Sequence, residues 1–600
     1  MSGPEREDFC RQIRTFLIEH VSRTGGHLAS NLGIVELTVA LHMVFDFEED
    51  RLVFDVGHQS YVHKILTGRR DRFSGLRQLN GLSGFPRPSE SSTDAFIAGH
   101  ASNSISVALG MARARTMQHG NYSVVALLGD GALTGGLSYE GLSDAAQSRE
   151  PLIVILNDNG MSISRNVGGM SRYLSRLRLK PRYFQAKTAW HSFTERIPGG
   201  KSLYRATHRI KQRFKDAFLG SNVFEQLGFT CLGPVDGHDI DQLCSVLIRA
   251  RELNAPVLLH VETVKGKGYS FAEKDPNAFH GPGPFDPESG RIYSSGLPTF
   301  SLTMGQTLVE LAGEHENLCA ITAAMTSGTG LDVFGQCWPH RLFDVGIAEE
   351  HAVSMAAGLA KQGMLPVVAI YSTFLQRAYD MMIHDVAILG LHVVFCVDRA
   401  GLTGEDGETH QGQFDVGYLR QIPGFKIFCP ATLVQLQQML RQAVEDETGP
   451  VAVRYPRGGE GRLTGPLTGP VLREGSDVTL LSYGPFCGEL LDAADLLAAQ
   501  GVQAEVVCLP VIKPLDLEPV IASVQKTGFL LVAEDTAENG SVGQAVCGEL
   551  ARLGVTGILR TRTLGDRFVP QGSVSELYRL CGLDGESLCR YVLEVRSGEE

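Results

Sequence analysis

The chain is predicted to be an α/β protein of three domains, each with a mostly parallel sheet flanked by helices. Three observations predict this. Short apolar strands alternate with helical stretches over most of the 600 residues. The strand runs are continuously apolar, as expected of strands covered on both faces. Proline- and glycine-rich stretches at 280–290 and 457–470 break the pattern into three units.

The first unit is read from runs at 52–56, 124–128, 152–157 and 257–261. The second has runs at 367–371, 392–397 and 451–454, with a small-residue helix over 352–360. The third has runs at 478–482 and 529–532. The implied domains are 1–297, 298–465 and 466–600, in line with a length that exceeds one ordinary hydrophobic core.

With 43% apolar and 20% charged residues, wholesale disorder is excluded. No apolar run reaches the ~18 residues of a membrane span, so no membrane partner is expected. The acidic opening, Met1-Ser-Gly-Pro-Glu-Arg-Glu-Asp8, lacks the apolar stretch of a signal peptide. Twelve scattered cysteines include no C-x-x-C pair, which argues against a zinc ribbon or a disulfide framework. These features predict a reduced, cytoplasmic enzyme.

The net charge of −13 is unevenly spread. Residues 165–215 hold 14 basic groups and one acid, Glu195, for a local +13, which leaves −26 on the rest. Such a segment reads as a nucleic-acid patch, a solvated surface excursion or a mobile cover over an anionic ligand. Its position just after the chemistry-bearing motifs below favours the cover, near 165–220, and no nucleic-acid partner is expected.

Gly129-Asp130-Gly131-Ala132 follows one strand run, and Asn157-Asp158-Asn159 ends another. Strand ends at the carboxyl edge of a parallel sheet are where ligands collect. A carboxylate, an amide oxygen, a main-chain carbonyl and two diphosphate oxygens would make an octahedral shell for Mg²⁺, and the glycines allow backbone N–H groups close to phosphate. Together the two motifs form the thiamine diphosphate signature. That cofactor also requires a glutamate in an apolar setting, where desolvation lets it share a proton. Glu349 and Glu350, at the start of the small-residue helix, both qualify by position. Phe374 is the natural aromatic to stack on the pyrimidine.

Gly26-His27, Gly57-His58 and Gly99-His100, with His410, supply imidazoles suited to moving protons near neutral pH. No histidine lies beyond His410, which predicts a structural role for the third domain. Arg399 and Arg457 follow strand runs, and Arg377 follows Phe374; together they make a plausible sugar-phosphate clamp.

From about residue 14 to at least 545 the chain resembles the 1-deoxy-D-xylulose-5-phosphate synthase family. The matching stretches are Gly25-Gly-His-Leu-Ala-Ser-Asn-Leu-Gly33, Asp55-Val-Gly-His-Gln59, His63-Lys-Ile-Leu-Thr-Gly-Arg69, Ile155-Leu-Asn-Asp-Asn159 with Met161-Ser-Ile163, Tyr371-Ser-Thr-Phe-Leu-Gln-Arg-Ala-Tyr379, and Asp398-Arg-Ala-Gly401 continuing to Thr409-His-Gln-Gly412. The resemblance implies a transketolase-like fold and a cofactor site of His58, Gly99, His100, Ala101, Gly131, Ala132, Asn159 and Phe374, with Tyr269 nearby. It implies Mg²⁺ ligation by Asp130, Asn159 and the Met161 carbonyl, and it selects Glu349 over Glu350 as the activating acid. His27, Tyr371, Arg377, Arg399, Asp406, His410 and Arg457 fall where the family binds substrates or handles protons; His27 and His410 join Glu349 as catalytic candidates. The implied reaction joins pyruvate, after loss of CO₂, to D-glyceraldehyde 3-phosphate, in a homodimer. Its product would feed isoprenoid, thiamine and pyridoxal synthesis. Ala101 replaces a serine usual in the family. The alternative activity is another ketol transfer, such as that of a transketolase.

Overall fold

The computed structural model describes residues 1–160, Gly169, Tyr173, 223–293 and 296–598. Met161 and nearly all of the basic segment predicted as a mobile cover lie outside the described residues. The chain forms two compact units, one of residues 1–76 and 81–293, the other of 77–80 and 294–600.

The first unit begins with the helix Gly3–Thr24, which buries Cys10, Ile13, Leu17 and Val21 along one face. The helix stops at Gly25, where φ is +72°. The unit's sheet contains β1 (Arg51–Phe54), β2 (Val124–Gly129), β3 (Ile153–Asp158), β4 (Thr230–Asp236) and β5 (Val257–Glu262), in the order β1-β2-β3-β5-β4. All its pairings are parallel. Gly129 pairs with Asn157, so the two sequence motifs leave the sheet side by side.

The second unit holds two sheets. One contains β6 (Leu318–Thr322), β7 (Leu342–Asp344), β8 (Leu365–Tyr371), β9 (Val394–Asp398), β10 (Lys426–Phe428) and β11 (Val451–Arg454). The other contains β12 (Val471–Arg473), β13 (Val478–Tyr483), β14 (Ala504–Leu509), β16 (Phe529–Ala533) and β17 (Ile558–Arg562), in the order β12-β14-β13-β16-β17. A short strand from the C-terminal stretch, β15 (Val511–Lys513), joins the former sheet antiparallel to β10, giving β15-β10-β11-β9-β8-β6-β7. Antiparallel β12 is likewise an edge strand. The predicted class of mostly parallel sheets flanked by helices is therefore the one observed. Every predicted strand run is present, shifted by at most two residues. The strands missed are mostly short, such as β7, β10, β12 and β15, or are partly exposed, such as β4 and β17.

Inside the second unit Arg454 donates from Nε to Asp415 Oδ2 at 2.9 Å, with both side chains almost wholly buried. Removing one partner of such a pair strands a desolvated charge, at a cost of about 3–5 kcal/mol. Asp415→Ala is therefore expected to lower the urea midpoint of this unit by that equivalent. A loss under ~1 kcal/mol would show that solvent reaches the arginine.

Candidate functional site

In the first unit, the candidate residues converge on the carboxyl ends of β2 and β3. Asp130, buried directly after β2, accepts the Gly160 N–H at Oδ2 (2.9 Å), and its own N–H donates to the Asn157 carbonyl (3.2 Å). Asn159, directly before Gly160, is half-buried, and Asp158 pairs with His260 at 2.9 Å. The turn after Asp130 buries Gly131 and Ala132 before the helix Gly136–Ser148.

The Gly99–Ser102 turn is tied to this edge. Ser102 Oγ donates to the Ala132 carbonyl (2.8 Å), while the N–H groups of Ser102 and Ser104 donate to the two oxygens of buried Asp55 (2.7 and 3.1 Å). Gly99 and Ala101 are buried, and His100 is half-buried. Asp55 also opens the turn that aims His58. There Val56 adopts φ +58°, costly for a β-branched residue. At Gly57, φ is +82° and a Cβ would lie 2.5 Å from Pro86, so only glycine fits.

His27 and His58 lie with ring centroids 5.7 Å apart. Asn31 Nδ2 fixes both by donating to their carbonyls (2.6 and 2.7 Å). Burial, then the neighbouring His27 and Lys265, push the His58 pKa well below its ordinary value, and its buried Nδ1 has no hydrogen-bond partner among the described residues. That ring is neutral at pH 7, with a nitrogen directed at neither protein donor nor acceptor.

Two further residues complete this cluster without having been predicted. His280 lies 5.2 Å from His58 and 5.8 Å from His27, ring to ring. Its signal was present, but in the order His280-Gly281 within a stretch read as a joint. Lys265 follows β5 in a glycine-rich turn; burial lowers its pKa to about 8, and Asp130 pulls it back up. Tyr269 stands apart from these groups. Its ring packs with Phe271, Phe279 and Phe285, and its hydroxyl donates to the Pro287 carbonyl (2.9 Å).

In the second unit, Glu349 begins the helix Glu349–Lys361 and is 2% exposed, whereas Glu350 is half-buried. Burial raises the Glu349 pKa to about 7; Arg377, 3.5 Å away, opposes the rise. Phe374 stacks on Tyr371 (centroids 5.8 Å apart) and meets His410 edge-on (5.5 Å). The Arg399 guanidinium covers the Tyr371 ring at 3.6 Å, from a backbone φ of +58°. Its buried Nε has no hydrogen-bond partner among the described residues. Burial raises the Tyr371 pKa, and the charges of Arg399, Asp398, Arg457 and Asp406 all act on that hydroxyl.

Of the predicted arginine clamp, Arg399 alone has this uncommitted buried N–H. Arg457 is exposed and donates to Glu405 (2.7 Å) and the Thr403 carbonyl (3.3 Å), and Arg377 faces Glu349. Asp406 accepts from Arg77 Nη2 at 2.8 Å. Arg77 escaped the sequence reading because its partner is 329 residues away.

Three family models match this chain in series: 1-deoxy-D-xylulose-5-phosphate synthase over residues 1–263, the transketolase pyrimidine binding domain over 298–459, and the transketolase C-terminal domain over 468–588. The 1-deoxy-D-xylulose-5-phosphate synthase of Heliobacterium modesticaldum is 46% identical over 100% of this chain and 94% of its own length. That of Pelotomaculum thermopropionicum is 50% identical over 97% of this chain and 93% of its own. That of Desulforudis audaxviator is 49% identical over 98% and 94%. The chain belongs to the 1-deoxy-D-xylulose-5-phosphate synthase family.

Buried Glu349 links stability to pH. Below the ordinary carboxyl pKa of 4.5 it is neutral whether folded or unfolded, and its burial carries no charge penalty. As pH rises through about 7 the folded chain must ionise it in place, and that stability is lost. Glu349→Gln should therefore gain stability over the parent between pH 5 and pH 8, by up to ~3 kcal/mol at ~1.4 kcal/mol per pK unit. Denaturation midpoints at the two pH values measure it; a pH-independent difference would mean that Glu349 is ionised throughout.

Proposed function

We propose that this family member condenses pyruvate with D-glyceraldehyde 3-phosphate, releasing CO₂ and forming 1-deoxy-D-xylulose 5-phosphate, with thiamine diphosphate and Mg²⁺ as cofactors. The observation that carries the reading is Glu349, a carboxyl buried until its pKa reaches about 7 at a helix start beside Arg377. Such a group holds or releases a proton at neutral pH.

The residues suit the cofactors. Asp130 and Asn159 offer hard oxygen donors at adjoining strand ends, as Mg²⁺ requires, with the Met161 carbonyl as a third candidate. The cationic Lys265 and the His58 Nδ1 without a protein partner fit an anionic, hydrogen-bonding group such as a diphosphate. Gly99, His100, Ala101, Gly131 and Ala132 would line it, and Phe374 would face the pyrimidine. When bound, thiamine diphosphate supplies the electron sink that lets a 2-oxo acid lose CO₂.

The chain's own groups do the rest. Glu349 holds the proton that activates the cofactor. Arg399 presents its free N–H to an anionic substrate, with Arg377 and Arg457 able to exchange carboxylate partners for phosphate. His27 and His410 move protons to and from substrate oxygens, while Tyr371 and Asp406 orient the substrate. Domains at 1–297, 298–465 and 466–600, a homodimeric assembly and a cytoplasmic setting belong to the same reading, which rests on the family match.

Pyruvate supplied with D-glyceraldehyde 3-phosphate, cofactor and Mg²⁺ should yield equimolar CO₂ and 1-deoxy-D-xylulose 5-phosphate. Glu349→Ala should lower the rate at least ~100-fold, and Asp130→Ala should abolish the Mg²⁺ requirement along with activity. Turnover of a ketose phosphate in place of pyruvate would support the transketolase-type reaction instead. Full activity in Glu349→Ala would remove the assignment of the proton carrier.

A further inference from the structure

In open parallel sheets the carboxyl edge is where ligands gather. At β16 and β17 that edge is filled by another segment of the same unit, the loop that leaves β9 and carries Asp406 and His410. The loop is closed at its neck by paired bonds between Gly401 and Gly412 (3.0 and 2.7 Å). At Gly401 φ is +72°, and a Cβ would lie 1.9 Å from Asp535 Oδ2, so backbone meets carboxylate directly.

The turns after β16 and β17 hold the loop at several points. Leu402 N–H and Tyr578 OH both donate to Asp535 Oδ2 (3.4 and 3.2 Å). The Gln413 carbonyl accepts from Thr536 Oγ1 and the Ala537 N–H (2.8 and 2.9 Å), and Gln413 Nε2 donates to the Arg567 carbonyl (3.1 Å). Gln411 lies at the centre, 2% exposed. Its Oε1 accepts from the N–H groups of Thr403 and Gly404 (2.7 and 3.3 Å), and its Nε2 donates to the Pro570 carbonyl (3.1 Å). Thr403 Oγ1 in turn donates to the His410 carbonyl (3.0 Å), and Thr409 Oγ1 meets His410 Nδ1 (2.9 Å).

We propose that Gln411 is a positioning residue for the condensation: it locks the 401–412 loop onto the turns after β16 and β17 and so fixes where the His410 imidazole sits. The C-terminal sheet then serves the reaction without placing a side chain on the substrate. The kinetic part rests on the role given to His410 above; the mechanical part stands without it.

The test uses the full-length protein and two readouts. Gln411→Met keeps the side-chain length but removes the acceptor and the donor. Amide hydrogen exchange across residues 401–412 should quicken at least ~10-fold, and kcat should fall at least ~10-fold while KM for pyruvate stays within ~3-fold. As a control, Thr479→Val removes the hydrogen bonds from β13 of the same sheet to Ser523 and Thr527 on the helix Glu518–Thr527 (both 2.7 Å) and should change neither readout. Unchanged exchange in Gln411→Met would overturn the proposal. So would an unchanged kcat with a loosened loop, or an equal kcat loss in Thr479→Val. If the parent makes no 1-deoxy-D-xylulose 5-phosphate, the functional reading fails, while the exchange data still decide whether Gln411 holds the loop.

Discussion

The structure depends on one constraint: its central parallel strands are covered on both faces, so polar chemistry is confined to their ends. β2, β3 and β9 are buried over almost their whole length, and each releases its first chemically useful residues where the ladder stops, at Asp130, Asn159 and Arg399. Buried backbone must be hydrogen-bonded, and leaving the sheet removes the partners that the ladder supplied. Side chains replace them. Asp55 takes the N–H groups of the 99–104 turn, and Gln411 takes those of Thr403 and Gly404. These groups touch no candidate reacting atom, yet they fix the turns that carry the candidates.

The same constraint concentrates strain. Val56, Ser102 and Arg399 all have positive φ, and each is, or lies within two residues of, a candidate site residue. Conformations of this kind persist only where surrounding contacts over-determine them. At Ser102 the carboxylate of Asp55 provides such a contact; at Arg399 the stack on Tyr371 does. Strain, desolvation of Glu349 and the neutral His58 are costs of one type, all met by packing elsewhere in the same unit.

Much of this was legible in the sequence because it is local. A continuous apolar run, a glycine before a histidine and an acid at a strand end are each contained within a few residues; they revealed the three sheets and singled out Asp130 and His58 as candidates, while Glu349 was separated from Glu350 only by the family resemblance. What escaped was long-range or easily mistaken. β7 and β15 are three residues each, too short to declare a period. Arg77 acquires meaning only through Asp406, and Lys265 only when β5 is set beside β3. Tyr269, which the resemblance sets near the cofactor, is held by a bond from its hydroxyl to the Pro287 carbonyl and by an aromatic cluster.

The distribution of histidine has a physical counterpart in the C-terminal sheet. A domain without imidazoles was expected to be structural, and its carboxyl edge indeed presents carbonyls and a carboxylate to the chain rather than to solvent. Buried acceptors require donors, and the 401–413 loop supplies them through Leu402, Gln411 and Gln413. Exchanging those bonds for water would free the loop to sample other conformations, and each lost bond to a buried acceptor would cost ~1–3 kcal/mol. A site that must hold His410 against Phe374 within a fraction of an ångström therefore gains more from a rigid, chemically silent sheet behind it than from another titrating group.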